Sequence, residues 1–111
     1  MASIEERIRW AWPDAVSTDI IQVGPLGSRT ANNVLLFNRR TNEVVTGVRM
    51  AGTKDEGSCF RGTLPAFADA VEARYNWLLT DLCSGDKVRY ERLRAEYRCV
   101  ILMLASLPPL P

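Results

Sequence analysis

Asn33-Val34-Leu35-Leu36-Phe37-Asn38, then Arg39-Arg40-Thr41-Asn42, then Glu43-Val44-Val45-Thr46-Gly47-Val48-Arg49-Met50, is the stretch that decides the fold. Two apolar, β-branched runs flank a polar connection of four residues, which is the sequence form of a β-hairpin. In the second run the alternation places Val44, Thr46, Val48 and Met50 on one face and Val45, Gly47 and Arg49 on the other.

Towards the N-terminus, Asp19-Ile20-Ile21-Gln22-Val23 reads as a third strand, closed by the turn signal Gly24-Pro25-Leu26-Gly27. Before it, Ser3-Ile4-Glu5-Glu6 has the form of a capping box, in which a hydroxyl and a carboxylate three residues apart satisfy each other's free backbone N–H groups. Ile4, Ile8 and Ala11 then share one helical face, and Pro13 ends the helix. Trp10 and Trp12 are expected to anchor it.

Towards the C-terminus, residues 51–62 carry three glycines and no periodicity, so they are expected to form a long surface loop. Thr63 is a candidate N-cap, with Pro65 tolerated in the first turn. Phe67, Val71, Tyr75, Leu78 and Leu82 follow at helical spacing, and Ser84-Gly85-Asp86 ends that helix and caps the next. The reading is a single α+β domain. It has a short N-terminal helix over 1–13, a three-stranded antiparallel meander over 19–50 and a surface loop over 51–62. A helical hairpin over 63–107 packs on one sheet face, and a Pro-rich tail follows at 108–111.

The last helix changes character along its length. From Lys87 to Arg98 it is densely charged, and from Cys99 to Ala105 it has no polar side chain. A helix that is apolar all round must be covered all round. Tyr90, Leu93, Tyr97, Val100, Leu104 and Leu107 alternate steps of three and four, an a/d-like seam with Ile101 beside it. In a small chain a second copy is a natural source of cover, and an isologous two-fold contact is the commonest closed solution. Tyr90, Leu93, Tyr97, Val100, Ile101, Leu104 and Leu107 are therefore the expected homodimer interface.

Composition excludes several classes. The chain of 111 residues has a net charge of +1, so no global field draws it to nucleic acid or membrane. The longest uncharged apolar run is too short to span a bilayer, and the acidic N-terminus does not read as a secretory signal. Three cysteines, an odd number with no close pair, point to reduced thiols and a cytoplasmic setting.

The chain contains no histidine, which removes Ser-His-Asp and Cys-His nucleophilic catalysis and imidazole metal ligation. Cys59, Cys83 and Cys99 lack the tight spacing of a zinc knuckle, and no Gly-Lys-Ser/Thr phosphate loop is present. No metal, cofactor or catalytic residue is expected. Cys59 is the one thiol expected at the surface, near Arg61 and Lys54; Cys83 and Cys99 read as small buried apolar groups. Pro108-x-x-Pro111 matches a polyproline ligand in form, although a helix stop explains it as well.

Twelve of the 14 basic residues are arginines, a skew that suits phosphate recognition and equally suits a GC-rich coding sequence. Arg29, Arg39, Arg40, Arg49, Lys54 and Arg61 are the candidate contacts to a protein partner or to nucleic acid. On the last helix, Tyr90 and Tyr97 could stack on bases, but they also lie on the seam. Lys87–Glu91 and Arg92–Glu96 have i,i+4 spacing that would neutralise the helix surface. The sequence thus favours a non-enzymatic interaction protein acting as a homodimer: an adaptor, a chaperone-like factor or an inhibitory accessory protein of the kind found in viruses and phages. A small RNA- or DNA-binding protein is the alternative.

Overall fold

Four strands, β1 (Ile20–Val23), β2 (Leu35–Asn38), β3 (Glu43–Thr46) and β4 (Phe60–Thr63), form an antiparallel sheet in the order β1-β2-β3-β4. Three helices accompany them: α1 (Ile4–Ala11), α2 (Leu64–Ala73) and α3 (Lys87–Ala105). The structure, a computed structural model, describes residues 3–24, 34–46, 60–73 and 86–110. The class is α+β.

The β2–β3 hairpin turns through Arg39-Arg40-Thr41-Asn42, with Asn38 facing Glu43 across it. Asn38 builds the turn. Its side-chain Oδ1 accepts from the backbone N–H groups of Arg40 (2.9 Å) and Thr41 (3.3 Å), and its carbonyl accepts from that of Asn42 (2.8 Å). Asn42 itself takes φ 62°, a left-handed conformation that asparagine tolerates better than most side chains.

The sheet has four strands among the described residues rather than the expected three. Phe60-Arg61-Gly62, read from sequence as the end of a loop, and Thr63, read as a helix N-cap, pair with β3 in the register Thr46↔Phe60 to Glu43↔Thr63. Thr63 then turns the chain into α2, its Oγ1 3.4 Å from the N–H of Ala66. Asp86 caps α3 by accepting from Val88 (3.0 Å) and Arg89 (3.1 Å). At the other end of the chain the Ser3 hydroxyl accepts from Glu6 at 3.1 Å and starts α1.

Both faces of the sheet are covered: α2 and α3 pack together on one, as expected of the late helices, and α1 covers the other. Leu35, Phe37 and Val44 point to one side and pack with α2 (Leu64, Phe67, Val71) and α3 (Tyr90, Leu93, Tyr97, Leu104). Phe67 lies at the centre of this layer, its ring 5.1 Å from that of Phe60 and 5.6 Å, edge-on, from that of Tyr97. Leu36 and Val34 point to the other side, where α1 lays Ala11, with Trp12 just beyond its end, against them. All four residues of β2 are consequently buried. Buried Arg7 ties α1 down by donating from Nη2 to the Val34 carbonyl at 3.0 Å.

Several expectations fall outside the described residues: the continuation of the first late helix through Tyr75, Leu78 and Leu82, the strand beyond Thr46, the turn after Gly24, and most of the loop over 51–62. Among the described residues, no helix is long and apolar enough to cross a membrane.

Candidate functional site

The seam of α3 faces inward. Tyr90, Leu93, Tyr97 and Leu104 are buried by the protein's own sheet and by α2, while Val100, Ile101 and Leu107 are half-buried against the same core. These residues are core, and the first four present no surface to a second copy. The opposite side of α3 is the open one. Leu102 is 71% exposed and Met103 45%, and Cys99 beside them is exposed as well. Cys99 was expected to be buried; it lies on the side of the helix away from the seam. Cys59 and Cys83 are outside the described residues.

Along its own length the charged half of α3 closes an ion pair among the described residues, Arg94 Nη1 with Glu91 Oε1 at 3.9 Å, which is not a pairing the sequence suggested. Among the described residues, neither Lys87–Glu91 nor Arg92–Glu96 closes as an ion pair. Instead Glu72 of α2 is gripped twice from α3. Arg98 donates to it through Nε (2.6 Å) and Nη2 (2.9 Å), and Arg94 through Nη2 (2.6 Å). The hydrogen bonds from Arg98 and Arg94 hold the Glu72 carboxyl down at about 2 and raise Arg98 in turn. The contact staples α2 to α3 at the surface. It pairs two arginines that the sequence left as free charge, although Arg94 Nε stays buried with no hydrogen-bond partner among the described residues.

Of the six candidate contact residues, Arg29, Arg49 and Lys54 lie outside the described residues. Arg39, Arg40 and Arg61 come to the same end of the sheet, by different routes. Arg39 turns to the C-terminal tail and donates from Nη2 to the Pro108 carbonyl. Arg40 pairs with Asp19, Nε to Oδ2 at 3.2 Å. Arg61 sits on β4 opposite Val45, with Nε 3.9 Å from Glu43 Oε2. Glu43 has its other oxygen committed, accepting from the Trp12 indole N–H at 2.9 Å.

Between Arg40 and Arg61 opens a cleft of about 450 Å³, within the range of about 300–1,000 Å³ usual for ligand sites. Its apolar lining comes from the last residue of α1, Ala11, and the connection after it: Trp12, Pro13, Ala15 and Val16. Its polar lining is Asp14, Asp19 and Asn38, with Arg40, Thr41 and Arg61 from the hairpin tip and β4. The local fold explains why these meet. A single 3-10 turn at Ser17–Asp19 lifts the chain from α1 into β1, and the Asp19 carbonyl accepts from the Arg39 N–H at 2.9 Å. That bond clamps the hairpin tip beside the 12–16 connection.

Sequence reading found the arginines of this site but not its other members. Asp19 was read only as the start of a strand, and Asn38 only as the end of one. An asparagine directly before a polar hairpin tip is itself a turn signal. The pairing of Asp19 with Arg40 had no local trace. Among the described residues, no group of three or more Cys, Asp or Glu is placed to hold a metal.

Comparison with protein-family models, with curated proteins and with solved structures finds no match to this chain.

Proposed function

We propose that the protein is a non-enzymatic interaction module that pairs with a second copy of itself through the outward side of α3 and meets a protein partner at its arginine-bearing corner. The exposure of Leu102 and Met103 side by side on a folded helix carries this reading. Single exposed apolar residues are ordinary, but these two continue a stripe. Ala95, Cys99 and Leu102 follow one another at steps of four and three on the side away from the core. In an antiparallel two-fold pairing about Cys99, Met103 of each helix would lie over the small Ala95 of the other, as a knob over a gap. Burying one large side chain is worth about 1.5–3 kcal/mol. Four of them across a symmetric contact would offset much of the entropy of association. A cytoplasmic setting belongs to the same reading, on the odd number of cysteines.

Light scattering tests it directly. The expected mass at high concentration is twice the chain mass of 12.4 kDa, falling to one chain mass in Leu102→Glu. A wild-type protein that stays at one chain mass throughout would remove self-association.

Nucleic-acid binding keeps one observation in its favour, the exposed guanidiniums of Arg40 and Arg61 at one end of the sheet. It has lost another, because Tyr90 and Tyr97 are in the core and offer no stacking face. Retention on a phosphate matrix that falls steeply with salt, and falls further in the double variant Arg39→Ala/Arg40→Ala, would restore it.

A further inference from the structure

The cleft between the 12–16 connection and the hairpin tip combines an apolar wall with two guanidiniums whose donors are unequally used. Arg40 spends Nε and Nη2 on Asp19, leaving Nη1. The Arg61 guanidinium makes no hydrogen bond among the described residues. Its one carboxylate neighbour stands at 3.9 Å, and the other oxygen of that carboxylate is already held by Trp12. Arg61 is about half exposed. A guanidinium held loosely beside apolar side chains at a cleft mouth is a fork ready for a carboxylate.

We propose that this cleft is a binding site for a partner's short peptide segment that carries an Asp or Glu side chain next to an apolar one. The carboxylate pairs with Arg61 and reaches the remaining edge of Arg40, and the apolar side chain lies against Trp12, Pro13 and Val16. The charges around the cleft decide between peptide and nucleic acid. Asp14 and Asp19 line it, and Glu43 stands behind Arg61. Three carboxylates repel a continuous run of phosphates, whereas a peptide brings one carboxylate to one place. The Trp12 indole is buried with its N–H engaged, so it supplies an apolar wall and no platform on which bases could stack. The site is distinct from the outward side of α3, and it stands or falls apart from self-association.

A random peptide library displayed on phage and selected on the intact protein tests the proposal. The enriched sequences are then made as synthetic labelled peptides for fluorescence polarisation. The expected enriched sequences place Asp or Glu beside a large apolar residue. Replacing that acid by its amide should weaken binding about ten- to hundredfold, the worth of a hydrogen bond to a charged group. Arg61→Gln should do the same, since this side chain is surface-exposed and its loss leaves the fold intact. Arg40→Gln is the poorer probe, because it strands the nearly buried Asp19. Arg39→Gln, outside the cleft lining, should bind as wild type. Leu102→Glu should also bind as wild type, which separates this site from the dimer contact. Failure to enrich any sequence, enrichment of sequences without acids, unchanged binding by Arg61→Gln, or displacement of the peptide by a single-stranded oligonucleotide would each overturn the proposal.

Discussion

On one face of the sheet, ten described residues from β2, β3, α2 and α3 are buried in a single cluster; on the other, only four are. The larger face is made of aromatic and aliphatic side chains in mutual contact, with Phe67 in ring contact on two sides. The smaller face is of mixed chemistry. It holds the Arg7 guanidinium against the Val34 carbonyl, the Trp12 indole against Glu43, and the buried Asp19 and Asn38 at the hairpin tip. Volume holds the first face together and directed hydrogen bonds hold the second. The thin face also ends early, and the space it leaves uncovered beyond α1 is the cleft. The face that contributes less to stability is thus the one with chemistry to offer.

That contrast can be broken most forcefully at Phe67. Phe67→Ala removes a ring from a site that is fully buried, where neighbouring rings cannot close the gap, and should cost about 3–5 kcal/mol. Urea denaturation followed by circular dichroism measures it. A loss below about 1 kcal/mol would mean that the larger face collapses around the hole and is not packed to density.

On the smaller face the equivalent probe is a change of polarity rather than volume. Arg7→Met keeps the length of the side chain and removes the donor, so the Val34 carbonyl loses its partner. The expected cost is about 1–3 kcal/mol, the penalty of a buried polar group left unmade. A variant as stable as wild type would show that this face too is held by apolar burial alone. Trp12→Phe should cost about 1 kcal/mol by releasing Glu43, and the freed carboxylate should then pair more closely with Arg61. The sharper readout is the cleft itself: a peptide bound through Arg61 should bind more weakly in Trp12→Phe, because Trp12 both holds Glu43 away from Arg61 and forms part of the apolar wall.

The sequence carries the larger face far more plainly than the smaller. The β2–β3 hairpin is legible because a polar connection, Arg39-Arg40-Thr41-Asn42, separates two apolar runs, and the seam from Tyr90 to Leu104 keeps strict helical spacing. The same spacing cannot say whether a seam is covered by its own chain or by another, since both leave one stripe of apolar residues. The cover given by α1 did leave a mark. Val34-Leu35-Leu36-Phe37 does not alternate, and an unbroken apolar strand is one buried on both faces. β4 left none, because Phe60-Arg61-Gly62-Thr63 is four residues long, pairs through backbone groups, and has one apolar side chain to signal with. The cleft was half legible. Its arginines stand out as charges at a hairpin tip, but their partners, Asp19 and Glu43, are assigned only by tertiary contact.

The smallest effect concerns the rim of the larger face, where Glu72 takes hydrogen bonds from Arg98 and Arg94. All three side chains reach solvent, so the staple is screened and adds only modestly to stability. Its signature is its pH dependence. The pairing lowers the Glu72 carboxyl from 4.5 to about 2. A carboxyl depressed on folding stabilises the folded state above its unfolded value, and that stabilisation drains away as pH falls through the folded one. The melting temperature of Glu72→Gln should therefore lie below that of wild type by a constant amount from about pH 8 to 5. The gap should then narrow between 4.5 and about 2 as the wild-type carboxyl takes up its proton. High salt should shrink the gap at neutral pH, as expected of an exposed charge pair. A gap that persists unchanged at pH 2 would assign the effect of Glu72 to the packing of its side-chain stem. In that case the rim, like the interior of the same face, would be held by contact alone.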